Sequence, residues 1–146
     1  LGENIKLGRH LKLDANSHET ISTYIHGSVG DDVGRIGVAV VHTGGDDLGK
    51  KIAMHIAATN PKAVSVDQLD PEWVENEKRL LSEQAIESGK PEHIVEKMVT
   101  GRMNKVLREV TLNNQQFVMN MEKTVGDLLE ENDAYVVDFI RLEVGA

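Results

Sequence analysis

Two amphipathic stretches of about five helical turns each, separated only by Gly89-Lys90-Pro91, constrain this chain more than any other feature. The first opens at Asp70-Pro71, with proline at the first helical position, and carries Trp73, Val74, Leu80, Leu81 and Ala85 before ending at Ser88. The second opens at Pro91 and carries Ile94, Val95, Met98, Val99, Met103, Val106, Leu107 and Val110. Helices joined by so short a link run antiparallel, so the sequence predicts a helical hairpin. Trp73 and Leu80, like Val74 and Leu81, stand seven residues apart, which suits a short supercoiled seam. Glu75, Lys78, Arg79, Glu83, Glu87, Glu92, Glu96 and Lys97 read as its solvated outer face.

The flanking sequence has a different period. Apolar and polar residues alternate in Ile5-Lys6-Leu7 and Leu11-Lys12-Leu13, and β-branched residues crowd Thr20 to Ile25. Arg35 to Val41 is a nearly continuous apolar run, as in a strand covered on both faces. Asp14 to Ser17 and Gly27 to Asp32 supply the turns. From Asp46 the period becomes helical, with Leu48, Ile52, His55, Ile56 and Thr59 on one face and Asn60-Pro61 as the stop. After the hairpin come a loop from Asn113 to Gln116, the apolar loop tripeptide Phe117-Val118-Met119, a short helix opened by Thr124, and a last strand from Tyr135 to Val144. That strand is placed to return to the first sheet. The fold class is α+β: a small antiparallel sheet packed with helices, plus a protruding, coiled-coil-like antiparallel helical hairpin.

A chain of 146 residues can bury a core without disulfides or metal. Its net charge of −8 repels phosphate backbones and anionic lipid, so nucleic acid and membrane are poor partners. The lack of cysteine removes disulfide frameworks, thiolate zinc sites and thiol nucleophiles, and suits a reducing compartment. No apolar stretch approaches the ~20 residues that span a bilayer. The sequence starts at Leu1 and not at methionine, which reads as a fragment.

Several motifs invite a chemical reading. Gly44-Gly45-Asp46-Asp47-Leu48-Gly49-Lys50 has the G-x-x-x-x-G-K spacing of a phosphate loop, between a strand and a helix. Against it, Lys51 replaces the hydroxyl residue that would hold Mg²⁺, and two carboxylates stand where phosphates would sit. An acidic helix start is the better reading. None of the six histidines forms an H-x-x-x-H pair, and His55 reads as a core residue, so no metal or other cofactor is implied. Without a Gly-x-Ser-x-Gly elbow, nucleophilic catalysis has no foothold. Met98 and Met103 fit the hairpin's inner face. Phe117-Val118-Met119, with Met121 nearby, either folds into the core or meets a partner, for which adaptable methionines are suited.

Nine stretches together resemble one bacterial family, elongation factor Ts, the guanine-nucleotide exchange factor for elongation factor Tu. They are Gly2-Glu3-Asn4-Ile5, His26-Gly27, Arg35-Ile36-Gly37-Val38, Ile52-Ala53-Met54-His55-Ile56-Ala57-Ala58, Ser88-Gly89-Lys90-Pro91, Glu96-Lys97-Met98-Val99, Gly101-Arg102-Met103, Phe117-Val118-Met119, and Phe139 through Gly145. The resemblance implies a cytoplasmic, non-catalytic fragment: a C-terminal core subdomain at 1–63 and 113–146, with a hairpin module inserted at 64–112 that serves homodimerisation. It implies elongation factor Tu contacts at Leu1, Gly2, His26, Val118 and Met119. Dimer residues would be Trp73, Val74, Leu80, Leu81, Met98 and Val99. The family's Thr-Asp-Phe-Val motif, which pries at the nucleotide and Mg²⁺ site of the GTPase, does not occur here. Docking without expulsion of GDP is therefore the expectation. The alternative is a structural dimerisation module with no GTPase partner. The sequence departs from the family pattern at Gln116, where proline is common, and in the insertion Ser28 to Gly34.

Overall fold

The computed structural model describes residues 8–31 and 33–145, which form two compact units. The first comprises the described residues up to Thr59 and those from Asn132 onward; the second is Asn60–Glu131.

In the first unit, strands β1 (Thr20–His26), β2 (Ile36–His42) and β5 (Val136–Glu143) form an antiparallel sheet in the order β1-β2-β5. The apolar run thus takes the centre, where both edges are paired, and Val38, Val40 and Val41 are buried. The closing strand returns beside it as the sequence suggests, with a register shift at Val41/His42. Leu11-Lys12-Leu13 is not a strand: its three residues join no sheet and Leu11 is 60% exposed, because so short an alternation creates no face worth burying. Ile5-Lys6-Leu7 lies outside the described residues.

Helix α1 (Asp46–Thr59) packs on β1 and β2, burying Leu48, Ile52, Ala53, His55, Ile56 and Ala57. Gly44 and Gly45, with φ of +94° and +93°, turn the chain from β2 into it. Its C-terminal end has no basic residue of its own, and Arg141 of β5 takes that place. The guanidinium donates from Nε and Nη2 to the Ala57 carbonyl at 3.3 and 3.0 Å, and pairs with Glu143 at 3.1 Å, so a cation meets the negative end of the helix.

The second unit holds α2 (Pro71–Glu87) and α3 (Glu92–Val110), packed side by side across the four residues 88–91. Asp70 caps α2 by accepting from the Glu72 amide at 3.0 Å, and Gly89 adopts φ +72° at the turn. At the base, Lys62, Leu112 and Asn113 amides donate to the Val110, Ala63 and Val64 carbonyls, so the entering and leaving segments run parallel and clamped. Between Leu112 and Thr124 the sequence suggests only loop. The structure has there a single 3₁₀ turn (Leu112–Asn114) and a small hairpin of β3 (Gln116–Phe117) and β4 (Asn120–Thr124), followed by the short helix expected from Thr124, α4 (Val125–Glu131). A two-residue strand leaves no readable alternation, which is why pattern alone misses it.

One contact fixes α1 on the sheet. Gly49 lies against the His42 ring and the Ser22 hydroxyl, and a Cβ there would collide with both. In an open helix interior Gly→Ala stabilises by roughly 1 kcal/mol. Here Gly49→Ala is expected to destabilise by about 1–3 kcal/mol through overpacking. Urea unfolding reads the sign directly, and a gain in stability would contradict the close approach.

Candidate functional site

The surface that stands out is the tip of the β3–β4 hairpin. Phe117, 4% exposed, anchors the strand, while the next two residues turn outward. Val118 and Met119 on the turn are 39% and 56% exposed, and Met121 in β4 is 63% exposed, so apolar side chains are concentrated at this end of the hairpin. Such a cluster costs solvation free energy unless something covers it. Its support is rigid. The Val125 amide donates to the Gln115 carbonyl at 3.0 Å, and the buried Gln115 side chain donates to the Glu109 carbonyl at 2.9 Å, capping the end of α3. Lys123 bonds both oxygens of Glu131 at 3.0 and 2.7 Å, fastening β4 to the far end of α4.

The anticipated capping box is present at the start of α4. The Thr124 hydroxyl accepts from the Asp127 amide at 3.1 Å, and the Asp127 carboxylate accepts from the Thr124 amide at 2.9 Å. That backbone bond, then the Thr124 hydroxyl, and to a lesser degree the Lys123 charge, hold the Asp127 carboxyl below the usual carboxylate range.

His26 belongs to the first unit, exposed at the end of β1 beside Tyr24, whose hydroxyl lies 3.2 Å from His26 Nδ1. The Arg35 amide donates to the His26 carbonyl at 2.9 Å, closing the base of the Ser28 to Gly34 connection. Leu1 and Gly2 lie outside the described residues. Val118 and Met119 are neighbours in the second unit, apart from His26 in the chain's division.

On the helical pair, Val99, Met103 and Ala85 are buried, Val74, Leu81 and Met98 half-buried. Trp73 is half-buried with the Lys62 ammonium 5.1 Å from its ring centroid. Leu80 is 38% exposed, and Ile86, which the sequence stripe omits, is 65% exposed. An apolar residue lying off the stripe was the signal for Ile86.

The phosphate-loop spacing has a different cause. Gly44 and Gly45 make the turn and Gly49 makes room for His42, so the glycines serve packing of α1. Buried His42 and half-buried Ser22, which the sequence does not connect, form a hydrogen-bonded pair at 2.6 Å. His55 is fully buried as anticipated. Among the described residues no helix is long and apolar enough to cross a membrane.

The whole sequence, residues 1–146, matches the profile of the family described as Elongation factor TS. The chain belongs to the elongation factor Ts family. Among curated relatives, elongation factor Ts of Yersinia pestis is 51% identical over 146 residues, covering 99% of this chain and 48% of that protein. Elongation factor Ts of Dinoroseobacter shibae is 49% identical, covering 99% of this chain and 49% of the relative, and that of Roseobacter denitrificans is 47% identical over the same shares. The chain thus spans about half the length of the elongation factor Ts proteins it matches.

Substituting Thr124 by Ala removes the cap and is expected to lower stability by about 1 kcal/mol. The contribution of Asp127 follows from its lowered pKa: it is present above the unfolded carboxylate value near ~4 and lost as pH falls through the folded value. Unfolding curves of the wild type and Asp127→Asn should therefore differ at neutral pH and converge in acid. A difference that persists unchanged at acid pH would contradict the assigned cause.

Proposed function

We propose that this chain is a docking fragment of a bacterial elongation factor Ts: it binds elongation factor Tu in the cytoplasm, self-associates, and performs no bond chemistry. The observation that carries the docking role is the apolar tip of Val118 and Met119, held outward on a hairpin anchored by buried Phe117. Aliphatic and thioether side chains on a hydrogen-bonded support are what a partner groove can recognise at small entropic cost. Leu1, Gly2 and His26 are proposed to add contacts, on the strength of the family resemblance. Because Thr-Asp-Phe-Val is absent from the sequence, the fragment docks without prying at the nucleotide.

The helical pair, at 64–112 between core segments 1–63 and 113–146, is the proposed self-association module. Its coiled-coil-like seam would use Trp73, Val74, Leu80, Leu81, Met98 and Val99, and the exposed Leu80 and Ile86 are the support for an outer apolar contact. Sedimentation equilibrium tests this. A dimer weakened by Leu80→Glu is expected, whereas a monomer at all concentrations would exclude it.

Calorimetry of the chain against elongation factor Tu tests docking. Val118→Ala combined with Met119→Ala should weaken binding roughly tenfold or more, as truncation of a central apolar contact does. Unchanged affinity would sink the assignment. A chain that self-associates but gives no heat with elongation factor Tu would be a structural dimerisation module.

A further inference from the structure

The five methionines are not equivalent. Met103 is 8% exposed inside the helical pair, and Met54 and Met98 are half-buried on helices. Met119, on the β3–β4 turn, and Met121, two residues on in β4, are 56% and 63% exposed. The sequence has no cysteine, so thioethers are its only oxidisable sulfur. Susceptibility to peroxide follows access to the sulfur lone pair, and the product changes a flexible apolar side chain into a polar one.

We propose that Met119 and Met121 form an oxidant-sensitive modification site, at which sulfoxide formation by a peroxide switches off docking through the β3–β4 tip. The proposal rests on the docking role of that tip. In the step, a sulfur lone pair attacks one peroxide oxygen, an S–O bond forms and the O–O bond breaks. Sulfur loses two electrons to the peroxide, and the other oxygen leaves as water after taking up the proton of the transferred hydroxyl. The sulfoxide carries a strong dipole that must be desolvated to enter an apolar groove, so binding weakens. A partner that covers the tip also shields these sulfurs from peroxide, so the residues it buries are expected to oxidise more slowly in the complex.

The test treats the intact chain with graded hydrogen peroxide and maps sulfoxide by peptide mass spectrometry. Affinity for elongation factor Tu is measured before and after by calorimetry. Met119 and Met121 should oxidise well ahead of Met54, Met98 and Met103, with affinity falling about tenfold, the scale of one lost central contact. Methionine sulfoxide reductases should restore it, since the step is reversible by those enzymes. In a Met119→Leu, Met121→Leu chain, the ratio of affinities before and after peroxide should stay near one, whatever the starting affinity. Uniform oxidation of all five methionines would overturn the proposal. Full sulfoxide at both positions with unchanged affinity would also overturn it; if Val118→Ala with Met119→Ala still weakens binding, the docking role of the tip survives. If neither oxidation nor that double substitution alters binding, both the proposal and the docking role fall.

Discussion

The fit of the His42 ring between Ser22 and Gly49 is the constraint on which the first unit depends. His42 is fully buried, and its Nδ1 lies 2.8 Å from the Thr43 carbonyl oxygen, which can only accept. Nδ1 therefore carries the proton, and Nε2 is left to accept from the Ser22 hydroxyl at 2.6 Å. A polar ring at the end of the central strand is thus satisfied on both sides. Only a residue without a side chain lets the first turns of α1 come close enough to cover it. Once α1 is seated, its C-terminal carbonyl at Ala57 falls to Arg141, and β5 is tied to the helix as well as to β2. A helix, two edge strands and a turn are located by three polar contacts around an apolar core.

The second unit is organised by backbone clamping at the base of the helical pair. The segment at 62–64 and the segment at 110–113 bond in parallel, while Gln115 caps α3 and hands its own carbonyl to α4. The β3–β4 tip stands on this base. Phe117 is its buried anchor while Val118 and Met119 stay outward, and Gly126 lets the start of α4 pack close to the Asn113 carbonyl. The same tightness that holds the hairpin makes its tip a fixed feature that a partner can recognise without ordering it first.

Periodicity made the long elements legible in the sequence. The apolar run at 36–41, the acidic start of α1, Pro71, Gly89 and the Thr124 box each named a boundary that the structure places within a residue or two. What escaped was short or depended on contacts distant in sequence. Leu11 to Leu13 alternates but finds no partner strand, β3 is too brief to show a period, and the Ser22–His42–Gly49 contact joins three elements that no local window spans. At the candidate site the sequence offered Phe117-Val118-Met119 with its orientation open. The structure divides the tripeptide, with phenylalanine inside and the other two outside.

Family membership and this geometry together support docking that is separable from nucleotide expulsion. A ligand of equal affinity for two forms of a partner shifts neither, however tightly it binds. A chain without Thr-Asp-Phe-Val should bind GDP-loaded and empty elongation factor Tu alike. The direct measurement is release of a fluorescent GDP from elongation factor Tu, with saturating amounts of this chain and complex formation followed in the same samples. The account predicts a complex whose release rate stays at the spontaneous value. Release accelerated toward that produced by a full-length elongation factor Ts, or no complex at all, would contradict it.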